Sequence, residues 1–65
     1  INLTMKEMLM ELLIEYRDKF KQNEKECLEM IRNKVPDNEW QEHARKGAGL
    51  KLMIETTIIE LQKYN

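Results

Sequence analysis

Val35-Pro36-Asp37-Asn38 holds the only Pro of the chain and separates two helix-patterned segments of nearly equal length. Pro36 has no N–H to continue a helix, and its ring biases Val35 away from the α region. Asp37 and Asn38 carry side chains that accept the free N–H groups of a new helix, with Asp37 as the expected N-cap. The stretch therefore predicts a helix, a tight turn and a second helix. The expected fold class is all-α: an antiparallel two-helix hairpin, about residues 5–34 and 38–64, in a single domain spanning 1–65.

Sixty-five residues lie near the lower limit at which one core sustains a fold, so small scaffolds draw on disulfides, metals, tight helix packing or a partner. Cys27 is alone and cannot form an intrachain disulfide, and one Cys with one distant His, His43, makes no metal ligand set. No metal and no cofactor is expected. Packing and association remain, and the 42% of apolar residues can supply both.

Eleven basic residues against twelve acidic ones leave a net charge of −1, which removes the strongest argument for a nucleic-acid or anionic-membrane partner. No apolar run approaches the roughly 20 residues that span a bilayer, and the first residues show no signal-peptide pattern. The chain is read as soluble and cytoplasmic. It opens on Ile1, and what precedes Ile1 is left open.

Thr4-Met5-Lys6-Glu7 fits a capping box that starts helix 1. Met5, Leu9, Leu12, Leu13, Tyr16, Phe20, Cys27, Met30 and Ile31 then recur at helical spacing, with Arg32 and Lys34 expected in the last turn. Asn23 falls on the axis of this stripe and is expected at its edge, reaching water. In helix 2 the main stripe is Trp40, Ala44, Gly47, Leu50, Ile54, Ile58 and Leu61, with His43 and Thr57 at its edge. Each Gly costs about 1 kcal/mol in a helix interior, yet the helix is expected to run through Gly47 and Gly49. Ala44, Gly47 and Ala48 form a small-residue strip, and Gly47 is expected opposite the region of Cys27, where two backbones can approach. Gly47-Ala48-Gly49 is no nucleotide-binding loop, since no strand precedes it and Leu52 occupies the place of the third Gly.

Apolar residues also stand off both stripes: Met8, Met10 and Ile14 on helix 1, and Ala48, Leu52 and Ile59 on helix 2. One hairpin cannot cover both sides of a helix, so these six are the candidate protein interface. They imply that the hairpin completes a helical bundle by dimerisation or meets another protein. A second set, Arg17, Lys21, Lys25 and Arg32 with Arg45 and Lys46, could form a basic band near the turn. Asp18, Glu24, Glu26 and Glu29 dilute it, and the helices are too long for helix-turn-helix recognition.

Catalytic constellations fail in turn. His43 and Glu39 are read as a surface i,i+4 contact, Cys27 as a small buried hydrophobe, and Glu7, Glu11 and Glu15 as a solvated acidic ridge. The outline, a short hairpin of mixed charge with Gly inside its second helix, resembles many small phage or bacterial accessory proteins, and no motif narrows it to a family. The functional expectation is a non-enzymatic protein–protein interaction module, a small regulator, inhibitor or assembly factor, whose partners are itself and an unidentified protein. The alternative is a nucleic-acid-associated accessory protein using the basic band.

Overall fold

The computed structural model describes residues 3–64. Two long helices, α1 (Met5–Arg32) and α2 (Asp37–Gln62), fold back on each other as a hairpin, and no strand occurs among the described residues. The molecule is a slab of 46 × 22 × 13 Å. Its radius of gyration of 15.0 Å exceeds the roughly 11 Å of a compact domain of this length.

α1 begins at the capping box. The Thr4 hydroxyl oxygen accepts from the Glu7 N–H at 3.1 Å, and the Glu7 carboxylate accepts in return from the Thr4 N–H and hydroxyl. The helix ends two residues earlier than the sequence suggested, at Arg32. Lys34 adopts φ 58°, its N–H donates to Ile31 at 3.1 Å, and the Val35 N–H donates to Met30 at 3.0 Å. This paired closure is a Schellman motif in which Lys34 takes the left-handed position usually given to Gly. Pro36 stands beyond this closure, where its ring disfavours the α region for Val35 and so opposes any continuation of the helix.

α2 starts one residue sooner than expected, with Pro36 as its N-cap and no side chain capping it. Asp37 is the first helical residue, and its carboxylate accepts instead from the Trp40 indole N–H at 3.0 Å. Asp37 and Glu39 still place negative charge in the first turn, where the macrodipole favours it. α2 passes unbroken through Gly47 and Gly49 and stops at Gln62, short of the expected 64.

The seam between the helices is legible in the burial pattern. Apart from Glu26 and Glu60 at its edge, the less exposed helical positions are Leu9, Leu13, Tyr16, Phe20, Asn23, Cys27 and Met30 on α1, and Trp40, His43, Gly47, Leu50, Ile54, Thr57 and Leu61 on α2. Both series alternate steps of three and four, the a/d heptad repeat of an antiparallel coiled coil. Asn23 and Gly47 lie at the same height, as do Glu26 and His43.

Several sequence expectations change here. Asn23 lies within the seam, where its Oδ1 stands 2.9 Å from the place a Cβ on Gly47 would occupy. Gly47 therefore packs against Asn23 and Phe20 first, one turn from Cys27. Thr57, expected at the edge, is the one buried side chain of α2, its hydroxyl donating to the Met53 carbonyl at 2.7 Å. Ala44 and Ile58, expected in the stripe, are exposed, as are Met5, Leu12 and Ile31. The cause is the period: a seam of 3.5 residues shifts the buried line away from the one that a straight 3.6-residue helix projects.

Candidate interaction surface

Heptad positions flanking the seam define two broad faces of the slab. On one, positions b and e carry Glu7, Met10, Ile14, Arg17, Lys21, Glu24, Leu28 and Ile31 from α1, and Asp37, Gln41, Ala44, Ala48, Lys51, Glu55, Ile58 and Gln62 from α2. We name it the Leu28 face. On the other, positions c and g carry Met5, Met8, Leu12, Glu15, Lys19, Gln22, Glu26 and Glu29 from α1, facing Glu39, Glu42, Lys46, Met53 and Glu60 from α2. This is the Glu26 face.

Grooves open on both faces, and on the Glu26 face one of about 260 Å³ is lined by Tyr16, Leu52, Met53, Thr56 and Thr57. A shallow apolar depression of about 240 Å³ runs along the Leu28 face over Phe20 and Cys27, with Leu28 on one wall and Ala44 and Ala48 on the other. The short alanines and Gly47 create it. It meets a second groove of about 320 Å³, walled by Arg17, Lys21, Lys51 and Glu55.

Polar contacts divide unequally. Lys19 pairs with Glu15 at 3.1 Å, Lys63 with Glu60 at 3.0 Å, and Gln22 donates to Glu26 at 2.9 Å. His43 reaches across from α2 to Glu26 at 2.8 Å, and this contact replaces the pairing with Glu39 that the sequence suggested. The Gln22 amide, then His43, hold the Glu26 carboxyl below its ordinary value of 4.5. All of these lie on the Glu26 face. On the Leu28 face Arg17, Lys21, Glu24, Lys51 and Glu55 make no ion pair within 4.0 Å among the described residues.

The six apolar residues singled out in sequence are all exposed, but they do not share one surface. Met10, Ile14 and Ala48 lie on the Leu28 face, and Met8 lies on the opposite face beside Leu12. Leu52 and Ile59 occupy position f, on the back of α2. The basic set divides too: Arg17 and Lys21 line the Leu28 face, whereas Lys25 and Arg32 sit at f on the back of α1. Arg45 is on the back of α2, and Lys46 faces Glu26. Leu28, Ile31 and Ile58 were not singled out as surface residues. Leu28 matched no stripe, and the other two fell on lines that the 3.6-residue period assigns to the seam.

Exposure is large for so small a chain. The accessible surface is 5412 Å², against about 4,400 Å² for a compact monomer of this mass, and no hydrophobic side chain is fully buried among the described residues. Cys27 is a free thiol under the Trp40 carbonyl, 3.6 Å away, and no three His, Cys, Asp or Glu side chains gather as a metal site among the described residues. Among the described residues no helix is long and apolar enough to cross a membrane. Comparison of the chain with known family models, with curated proteins and with solved structures gives no match.

Proposed function

We propose that the chain is a non-enzymatic protein–protein interaction module, a small regulator, inhibitor or assembly factor that acts through its exposed apolar helix surface. The observation that carries this reading is the set of large hydrophobes outside the seam, which exceeds what one hairpin can cover. Completion of a helical bundle by a second hairpin belongs to the same reading, as each exposed aliphatic side chain gains about 1.5 to 3 kcal/mol on burial. The two side chains with catalytic chemistry are engaged in the seam, His43 with Glu26 and Cys27 with the Trp40 carbonyl. A single free thiol suits a reducing compartment and supports a cytoplasmic setting.

The test compares proteins captured by the chain with those captured by two variants, Ile14→Glu with Leu28→Glu and Leu52→Glu with Ile59→Glu. One of the variants is expected to lose the captured protein while keeping its helix content. Capture unchanged in both, together with a salt-dependent shift of duplex DNA that Arg17→Ala and Lys21→Ala weaken, would favour the nucleic-acid reading instead.

A further inference from the structure

We infer that the occupant of the Leu28 face is a second copy of this chain, packed face to face about a twofold axis perpendicular to the helices. The inference rests on the reading of exposed apolar helix surface as interaction surface, and it assigns the face, the partner and the symmetry.

The sequence of the α1 flank is self-complementary. Along the Leu28 face it reads Met10, Ile14, Arg17, Lys21, Glu24, Leu28, Ile31: two apolar residues, two cations, one anion, two apolar residues. A twofold axis crossing α1 between Gln22 and Asn23 sets Lys21 against Glu24 of the partner subunit and Ile14 against Ile31 of the partner subunit. Arg17 then lies over Leu28 of the partner subunit, where its methylenes cover the leucine and its guanidinium stays near carboxylate and water.

The second helix agrees independently. Asn23 lies level with Gly47 and Glu26 with His43, so the same axis crosses α2 near Gly47. There α2 presents only Ala44 and Ala48 to the partner, and two helices can approach closely at the axis. On α1 the axis exchanges the apolar open end, Met10 and Ile14, with the apolar turn end, Leu28 and Ile31, and on α2 it sets Ile58 toward the first turn near Asp37 of the partner subunit.

Charge decides between symmetries. A twofold axis parallel to the helices would set Arg17 between Lys51 and Glu55 of the partner subunit, a cation and an anion at nearly equal offsets, and so gives no charge match as direct as Lys21 with Glu24 of the partner subunit. The Glu26 face fails under either axis. Its hydrophobes, Met5, Met8, Leu12 and Met53, gather toward the open half, while Glu26, Glu29, Glu39 and Glu42 crowd the turn end. The perpendicular axis that would pair Lys19 with Glu26 of the partner subunit also sets Glu15 against Glu29 of the partner subunit and Met53 beside Glu42 of the partner subunit, and a parallel axis sets Glu26 and Glu29 against Glu42 of the partner subunit. The area is sufficient: the slab face of 46 × 22 Å offers on the order of 1,000 Å², against about 800 Å² per partner in a standard stable interface.

Sedimentation equilibrium across the micromolar range tests the proposal, with circular dichroism to confirm that each variant stays helical. The chain is expected at twice its 7.9 kDa mass. Ile14→Glu should weaken the dimer at least about 100-fold, since both copies of the residue lose their burial. Lys21→Glu and Glu24→Lys should each weaken it about tenfold, and the double variant should return to within about threefold of the original, because the swapped pair meets again across the axis. A helical monomer at every concentration overturns the inference, and so does a dimer that the double variant fails to restore. Neither result touches capture of a foreign protein, which is read separately.

Discussion

The two broad faces of this hairpin have the same length and flank the same seam, yet they solve the problem of exposed surface in opposite ways. The Glu26 face pairs part of its polar surface within the chain: Lys19 with Glu15, Lys63 with Glu60, and Gln22 and His43 both with Glu26, while Met5, Met8, Leu12 and Met53 stay exposed at its open half. The Leu28 face is left open, with unpaired charges at its middle and aliphatic side chains at both ends. Polar surface that pairs with itself has little to gain from a partner, whereas apolar surface without cover gains in proportion to the area removed from water. On the proposed reading, stability and association are assigned to different faces.

The comparison breaks most sharply at Ile14 and Glu15, adjacent residues on opposite faces. Ile14→Glu should reduce association by about 3 to 6 kcal/mol, counting both copies, while Glu15→Ala removes one exposed pair with Lys19 and should change stability by less than about 0.5 kcal/mol. Equal effects in a denaturation series run at two protein concentrations would erase the distinction between the faces.

The glycines sharpen it next. Gly47 is buried in the seam, where even a Cβ would stand 2.9 Å from Asn23 Oδ1, whereas Gly49 on the Glu26 face has open space around it. Gly47→Leu should lower stability by about 1 to 2 kcal/mol, because overpacking outweighs the helix propensity gained. Gly49→Ala should raise stability by about 1 kcal/mol. Melting temperatures that move together would place both glycines in one environment. At the turn, Lys34→Gly should add about 0.5 to 1 kcal/mol by relieving a left-handed residue at φ 58°.

The smallest effect is acid sensitivity, and it belongs to the Glu26 face alone. Glu26 is held below its ordinary value of 4.5, so its contribution is present above that pH and is lost as the pH falls through and below it. A urea midpoint measured at pH 6 and pH 3 should fall less in Glu26→Gln than in the original chain. An identical fall in both would remove Glu26 from the account.

Much of the fold was legible in the residues, because the turn and the first cap rest on local chemistry. Pro36 stops a helix wherever it stands, and Thr4 with Glu7 forms its box without help from the rest of the chain. The seam was less legible. Cys27, Gly47 and Leu50 fall on either period, whereas Asn23 already lay on the axis of the stripe and was assigned to water for its polarity, and His43 and Thr57 moved from the edge to the inside with the 3.5-residue repeat of two wrapped helices. The candidate surface suffered from the same cause. Met8, Met10 and Ile14 look like one cluster in sequence, and a difference of two residues sends Met8 and Met10 to opposite faces. Leu28 and Ile31 could be recognised as surface only once the axis of the seam was fixed.

The most direct measurement of the central claim is hydroxyl-radical footprinting read by mass spectrometry, from nanomolar to tens of micromolar chain. Chemistry and exposure are matched across the two locations: Ile14 is 61% and Ile59 58% exposed in the hairpin, Leu28 54% and Leu52 65%. Ile14 and Leu28 are expected to become protected as concentration rises, while Ile59 and Leu52 on the back of α2 react at an unchanged rate. Protection of Ile59 and Leu52 in place of Ile14 and Leu28, or of none of the four, would contradict that claim.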